Sequence, residues 1–214
     1  MIELAGISKS FGNFPALANV SLTIPDHARV ALLGPSGSGK TTLLRLVAGL
    51  EIPDAGTISF DGRIVSCPEY MDPPSGRSIG FAFQSAALWP HMTVSDNILF
   101  GMDHLSEEEQ HQRLGILLER MRITHVKDRF PDQISGGEAR RVALARALAP
   151  QPSTLLFDEP LTNLDRELRD DLLNLITETV RATGSTMVYV THEESEAERV
   201  ADTIIRFQNG TIAR

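Results

Sequence analysis

The stretch from Gly34 to Thr41 has residue types and spacing suited to binding phosphate. Its sequence, GPSGSGKT, fits the pattern G-x-x-x-x-G-K-[ST] between an apolar run at 30–33 and a helical pattern at 42–48. Glycines let backbone N–H groups close around phosphate oxygens, while a lysine reaches the β- and γ-phosphates and a threonine hydroxyl ligates Mg²⁺. We therefore predict a phosphate-binding loop rather than a plain Gly/Ser-rich surface turn. Its members are Gly34, Pro35, Ser36, Gly37, Ser38, Gly39, Lys40 and Thr41, with Thr42 as a second nearby hydroxyl.

Two carboxylates follow a second apolar run, at residues 154–157. A buried strand that ends in acids needs a partner charge, and Mg²⁺ supplies one for Asp158, directly or through water. Glu159 is then left to orient or deprotonate an attacking water molecule. A solvated turn at the strand end is the alternative, and the phosphate loop elsewhere in the chain favours the catalytic interpretation.

Composition limits the class of protein. The chain has 214 residues, 42% of them hydrophobic, and a formal net charge of −8, which suits one large globular domain. A single cysteine, Cys67, excludes an internal disulfide and a four-cysteine zinc site. No run approaches the roughly 20 apolar residues of a membrane span, and no secretory signal is visible at the start, so we expect a cytoplasmic protein. The acidic total gives no reason to expect nucleic-acid binding.

The pattern of elements predicts an α/β fold. Turn residues separate short strands near the start, at 2–7, 20–24 and 29–33, and a hairpin at 57–65 precedes a strand at 79–83. Mainly helical patterns fill 88–149, where Ser106 and Glu109 fit a capping box ahead of apolar residues at helical spacing, Leu114, Leu117, Leu118 and Met121. Strand and helix then alternate at 154–158, 166–182 and 186–190, before a closing hairpin at 204–213.

Four further segments complete a recognisable order of motifs. They are FAFQ ending at Gln84, ISGGE at 134–138, TNLD at 162–165 and THE around His192. Together with the phosphate loop and LLFDEP at 155–160, they resemble the ATP-binding cassette (ABC) family over essentially the whole chain. The resemblance implies a phosphate-loop NTPase core with a mainly parallel sheet, an N-terminal antiparallel β subdomain and an inserted helical subdomain. It implies one cassette over 1–214, with 1–87 and 150–214 as the nucleotide-binding core and 88–149 as the helical subdomain.

The resemblance also assigns roles to single residues, with ATP and Mg²⁺ as ligands. Phe11 would stack on adenine, Gln84 would contact Mg²⁺ and join the nucleotide to a membrane partner, and His192 would lie near the γ-phosphate. Ser135, Gly136, Gly137 and Glu138 match the family's signature loop, and Asp165 matches its D-loop acid. Each has a plainer alternative: an edge aromatic for Phe11, a strand end for Gln84, a structural histidine for His192 and a simple capping box for Ser135 and Glu138.

Partners follow from the same resemblance. In the family the signature loop is far from the phosphate loop of its own subunit, so we expect an ATP-dependent head-to-tail homodimer. Integral-membrane permease subunits and an extracytoplasmic substrate-binding protein would complete an importer of a small polar solute or ion, with this chain at the cytoplasmic face of the membrane. Leu88, Trp89 and Met92 would line a groove for a permease helix, or would only form the core of the helical lobe.

Several questions stay open at this stage. Glu138 replaces the usual glutamine, so its charge would weaken ATP-driven dimerisation unless the side chain turns back to the helix cap, to Arg140 or to Arg141. An exporter-type or non-transport cassette is the alternative function within the family. A small-molecule kinase or GTPase is the alternative outside it, and ISGGE has no role there.

Overall fold

The elements follow the order that the sequence predicts. The computed structural model describes residues 1–162 and 164–213. Its strands are β1 Ile2–Phe11, β2 Phe14–Ile24, β3 Arg29–Leu33, β4 Ala55–Phe60, β5 Arg63–Cys67, β6 Tyr70–Met71, β7 Ile79–Ala82, β8 Thr154–Asp158, β9 Thr186–Thr191, β10 Thr203–Gln208 and β11 Thr211–Ile212. Its α-helices are α1 Lys40–Ala48, α2 Val94–Leu99, α3 Glu107–Arg120, α4 Gly136–Leu148, α5 Arg166–Thr183 and α6 Glu194–Val200.

A six-stranded sheet forms the centre of the molecule. Its strand order is β11-β10-β3-β9-β8-β7, and all neighbours are parallel except β10 and β11. Every residue of β8 and β9 is buried. A strand that is covered on both faces must be apolar along its length, which is why these two segments lack a two-residue alternation. The predicted parallel sheet is confirmed.

The first strands form a separate antiparallel sheet, in the order β2-β1-β4-β5-β6. The sequence pattern predicted strands only at 2–7 and 20–24, whereas β1 and β2 continue to a tight turn at Gly12-Asn13. Register shifts interrupt their pairing at three places between Leu4 and Ser10. Each bulge moves the following side chains to the other face, so the alternation that marks a strand is lost in the sequence.

The region 88–149 is helical, as predicted. Almost all of its buried apolar residues belong to one hydrophobic cluster with residues of the parallel sheet and of α5, including Leu118 of α3, Val142 of α4, Phe157 of β8 and Ile176 of α5. Since this core runs from the helical lobe to the sheet, the lobe is anchored by apolar packing. The division at 88 and 150 itself stays a prediction. Within the described ranges, every helix is too short or too polar to cross a bilayer.

A buried arginine joins the antiparallel sheet to the helix that follows the phosphate loop. Arg77 is only 4% exposed. Its guanidinium donates to the carbonyls of Leu46 and Val47 at the end of α1, to the carbonyl of Val65 and the hydroxyl of Ser66 in β5, and to the carbonyl of Asp72. The Leu46 and Val65 carbonyls also accept from the N–H groups of Gly49 and Asp72, whereas the Val47 carbonyl at the end of α1 depends on Arg77.

We expect Arg77→Leu to lower the free energy of unfolding by about 3 kcal/mol or more, because it leaves the carbonyls of Val47 and Asp72 without their donor in a buried site. The measurement is urea unfolding followed by circular dichroism. The control is Arg63→Leu, since Arg63 is exposed and makes one ion pair, with Asp72 at 2.7 Å, so that its loss costs at most about 1 kcal/mol. Equal midpoints for the two variants would contradict the role given to Arg77.

Candidate nucleotide site

The phosphate loop connects β3 to α1 and needs glycine at two tightly packed positions. A Cβ at Gly34 would lie 2.2 Å from the carbonyl oxygen of Phe207, and one at Gly39 would lie 2.5 Å from that of Ala16. Gly39 also has φ of +101°, and it caps α1 without a side-chain hydrogen bond. The first turn of α1 contains no acid. The free N–H groups and the positive end of the helix dipole therefore make this helix start suited to an anion.

Lys40 supplies a positive charge inside the loop. The residue is 3% exposed, and its ammonium donates to the carbonyls of Gly34 at 2.7 Å and Pro35 at 2.9 Å. Burial lowers its pKa, while the nearby carboxylates of Glu159 and Asp158 act in the opposite direction. A desolvated ammonium held by neutral carbonyls gains strongly from a phosphate, which would supply the missing counter-charge.

Oxygen donors suited to Mg²⁺ lie beside the loop. The hydroxyl of Thr41 donates to Oδ1 of Asp158 at 2.8 Å. Burial raises the pKa of Asp158, although the hydrogen bond from Thr41 opposes the shift. A hydroxyl and one carboxylate fit Mg²⁺, which takes few protein ligands and completes its octahedron with phosphate oxygens and water. Among the described residues no group of three or more His, Cys, Asp or Glu side chains forms a protein-only metal site.

Glu159 is held firmly at the end of β8. Its φ of +44° is rare for a residue with a side chain. Its N–H donates to the carbonyl of Val190 at 3.0 Å, and the Thr162 hydroxyl donates to its carbonyl at 3.1 Å. The carboxylate lies 3.4 Å from Nδ1 of His192, which follows β9. These contacts hold the carboxylate of Glu159 next to the imidazole of His192. Two such groups side by side can orient and deprotonate a water molecule.

A cavity of about 380 Å³ brings together about half of the predicted residues. It is lined by Phe11, Phe14, Ala16, Ser36, Gly37, Gly39, Lys40, Thr41, Thr42, Gln84 and Glu159. Phe14, which the sequence pattern did not predict as a site residue, is 60% exposed across the hairpin from Phe11, itself 48% exposed. The sequence does contain the two aromatic residues that the hairpin pairs. Their proximity could not be recognised because the hairpin itself was not predicted. Two rings near a phosphate loop offer a surface on which a nucleobase can stack.

Other predicted residues lie outside this cavity. His192 lines a smaller neighbouring cavity together with Thr162. Asp165 caps α5, with its carboxylate accepting from the N–H of Leu168 at 2.9 Å. Asn163, the middle of the predicted TNLD motif, lies outside the described residues. Ser135 caps α4, and Gly136 is exposed at its first turn.

Glu138 turns back to the cap of its own helix. Its Oε2 accepts from the N–H of Ser135 at 2.7 Å and from the Ser135 hydroxyl at 2.8 Å, and its Oε1 lies 2.8 Å from Nε2 of His125. These hydrogen bonds lower the pKa of Glu138. Of the orientations that the sequence left open, the structure shows the one toward the cap, and Arg140 binds elsewhere. A carboxylate so engaged projects less of its charge past the helix end.

The fold and this cavity define a phosphate-loop nucleotide-binding protein of the α/β class. A family model described as ABC transporter matches residues 17–162, and the chain belongs to that family. It is 46% identical over 217 residues to the sulfate/thiosulfate import ATP-binding protein CysA of Yersinia pseudotuberculosis, covering 99% of this chain and 59% of that protein. The same values for CysA of Escherichia coli K12 are 46%, 99% and 58%. The chain therefore spans less than two thirds of the length of these relatives.

Solved structures agree with this assignment. The fold is similar to a dimeric structure of MJ0796, a bacterial ABC transporter cassette, with a TM-score of 0.90 and 31% identity over 100% of this chain and 97% of that chain. A dimeric post-hydrolysis state of the same cassette, bound to ADP and Pi, gives a TM-score of 0.89 and 30% identity with the same coverage. The predicted ABC ATPase fold is confirmed.

Proposed function

We propose that this chain is the ATP-hydrolysing part of an ABC importer and that two copies act head to tail. One observation carries the proposal. The cavity at the phosphate loop also contains Glu159, whose carboxylate lies 3.4 Å from Nδ1 of His192 in the neighbouring cavity, so a nucleotide and the group that activates water share one site. The exporter-type and non-transport alternatives lose support because the relatives reported above are import proteins by name.

The site divides the chemistry among its residues. Phe11 and Phe14 stack on adenine, and the loop N–H groups with Lys40 hold the phosphates. Thr41 and Asp158 would hold Mg²⁺, with Gln84 as a further oxygen ligand from the cavity wall, and the ion would supply positive charge that offsets the charge of the phosphates.

Hydrolysis then needs one proton transfer near the γ-phosphorus. Glu159 accepts a proton from water as the water oxygen bonds to the γ-phosphorus. The bond from that phosphorus to the bridging oxygen breaks, and ADP leaves. His192, beside the carboxylate of Glu159, donates a hydrogen bond to the phosphate oxygens.

The second copy completes the site from its α4. The start of this helix carries Ser135, Gly136 and Gly137 in a position outside the cavity of its own chain, and its exposed N–H groups suit a phosphate. A phosphate bound there comes from the nucleotide of another subunit. Asp165 lies on the same proposed face. The dimeric MJ0796 cassettes support this arrangement.

We expect Glu159→Gln to retain ATP binding while steady-state turnover falls by at least about 100-fold, because the water loses its base. With turnover slowed, light scattering should detect a monomer that becomes a dimer on addition of Mg·ATP, with one radiolabelled nucleotide per subunit.

Lys40→Ala serves as the control, since it should bind little nucleotide and stay monomeric under the same conditions. Near-normal turnover of Glu159→Gln would remove Glu159 from its role. Nucleotide binding without dimerisation would remove the proposed completion of the site by α4.

We expect Glu138→Gln, placed in the Glu159→Gln background, to tighten the ATP-dependent dimer about fivefold. A glutamine still accepts from the Ser135 N–H, but it removes a negative charge near the partner's triphosphate, an effect of about 1 kcal/mol at a solvated interface. Sedimentation equilibrium at several ATP concentrations measures the dimer dissociation constant.

Glu109→Gln is the matched control. Glu109 occupies the same capping-box position on α3, bound to the N–H and hydroxyl of Ser106 at 2.9 and 2.7 Å. Glu109→Gln should affect the capping of its helix as much as Glu138→Gln does, but it should leave the dimer dissociation constant unchanged. If both variants shift the dimer constant alike, or neither does, the charge of Glu138 plays no part at the interface.

A groove of about 260 Å³ between β7 and the helical lobe offers a place for a permease helix. Phe83, Trp89 and Phe100 line it, and Phe100 is 57% exposed. Leu88 and Met92 were expected here, yet neither lines the groove, and Leu88 packs against the main core. Exposed aromatic rings around a groove suit the apolar face of a short helix.

We propose oxyanion import as the transport activity, with integral-membrane permeases, an extracytoplasmic binding protein and a location at the cytoplasmic face of the membrane. The support is the 46% identity to proteins named for sulfate and thiosulfate import. In such a system the ATPase couples hydrolysis to the permease, and the solute is recognised by the other components.

We expect Phe100→Asp to abolish uptake of radiolabelled sulfate in cells whose own copy is deleted, while the purified variant keeps its ATPase activity. The charge would be buried without a partner when a helix docks. Ile116→Asp, at another exposed apolar position on the lobe, is the control and should support normal uptake. Normal uptake by Phe100→Asp would exclude the groove, and uptake that never depends on this chain would exclude sulfate as solute.

A further inference from the structure

A second, polar cavity lies beside the pair formed by Glu159 and His192. Its volume is about 170 Å³, and its lining joins the segment after β8, the end of β9 and the first turns of α5 and α6. Lining residues include Thr162, Arg169, His192, Glu193 and Glu196. Since the proposed hydrolysis uses only His192 among them, the buried carboxylate of Glu196 and the arginine beside it need another explanation.

Glu196 is a carboxylate that holds the turn carrying His192. It is 5% exposed. Its Oε2 accepts from the hydroxyl of Thr191 at 2.8 Å and from that of Tyr189 at 3.1 Å, and the Thr191 hydroxyl accepts from the N–H of Glu193 at 3.0 Å. Burial and the adjacent carboxylate raise the pKa of Tyr189 well above its ordinary value, so the phenol stays a donor. The hydroxyl of Thr191, which precedes His192, is therefore held by Glu196 and in turn accepts from the N–H of Glu193, which follows His192.

Arg169 connects this turn to the segment before α5. Its guanidinium donates to the carbonyl of Leu164 at 3.2 Å and lies 3.7 Å from the carboxylates of both Glu193 and Glu196. Its Nε is buried, and within the described part of the chain it has no hydrogen-bond acceptor. The charge contact with Glu196, at 3.7 Å, is therefore longer than a hydrogen bond, and a shift that shortens it by about 0.5 Å would make it a charge-assisted one.

We propose that Arg169 and Glu196 are a positioning pair that links the segment at Leu164 and Asp165 to the distance between His192 and Glu159. The inference deepens the proposed function and rests on it, because its readout is ATP hydrolysis. Asp165 is exposed on the face proposed to meet the second copy. Contact there moves the Leu164 carbonyl, Arg169 follows it, and Glu196 transmits the change through Thr191 to the imidazole.

The test is a double-mutant cycle with Arg169→Gln, Glu196→Gln and the double variant. Glutamine at 196 keeps an acceptor for the hydroxyls but loses the charge that faces Arg169. Each single variant should lower kcat about tenfold with KM for ATP and Tm unchanged, and the double variant should fall no lower than either single. In a His192→Ala background, Glu196→Gln should cause no further loss, because its effect passes through the imidazole.

Glu194→Gln and Arg206→Gln provide the control cycle. They belong to an exposed ion pair of 2.6 Å on the same helix, α6, and on β10, and both should leave kcat unchanged. Additive losses in the first cycle, a parallel fall in Tm, or a further loss in the His192→Ala background would each overturn the pair's role. If the unmodified protein does not hydrolyse ATP, the proposed function itself fails, which separates that outcome from these.

Discussion

Strand β9 pairs in parallel with β3 on one side and with β8 on the other, and this pairing fixes where the three segments of the nucleotide site begin. Leu33, the last residue of β3, is opposite Thr191 of β9, and Asp158 of β8 is opposite Val190. The phosphate loop, the carboxylates after β8 and the turn of His192 therefore leave the sheet at one edge and at one level. A shift of one residue in the pairing of β8 with β9 or of β9 with β3 would move Asp158 away from Thr41. The geometry of the site therefore depends first on the register of these strands.

Helix starts in this chain are satisfied in two different ways, and the difference marks the site. Side chains cap α2, α3, α4 and α5 through Thr93, Ser106, Ser135 and Asp165. Only α1, among the long helices of the described chain, begins at a glycine with no side-chain cap and no acid in its first turn. The first N–H groups of α1 can therefore bind an external acceptor, and the side chain of Lys40, the first residue of this helix, is desolvated by burial. Phosphate binding thus recovers stability that the bare helix end lacks.

Much of this arrangement could be predicted because the signals are local. The phosphate loop is eight consecutive residues, and β8 is a continuous apolar run ended by two acids. The long hairpin of β1 and β2 could not be predicted, since bulges broke its alternation, and Phe14 was lost with it. Nor does sequence spacing reveal that Arg169 and Glu196 meet, because they lie on different helices whose packing angle no motif encodes. The orientation of Glu138 depended on a rotamer choice between its own cap and two arginines.

Helix α4 ties the proposed dimer face to the proposed permease groove. Its first residues form the exposed start after Ser135, while farther along Arg140 donates to the carbonyls of Phe83 and Gln84. Arg146 donates to the carbonyls of Ala86 and Ala87 and lies 4.6 Å from the ring centre of Trp89. The segment from Phe83 to Trp89, which runs from the nucleotide cavity to the groove, is therefore held by one rigid helix. Any displacement of that helix by a phosphate at its start must carry the segment with it or break several charge-assisted hydrogen bonds. In the proposed transporter, coupling between nucleotide and permease would need no flexible relay, because the 13 residues of α4 reach from the cap at Ser135 to the segment that lines the groove.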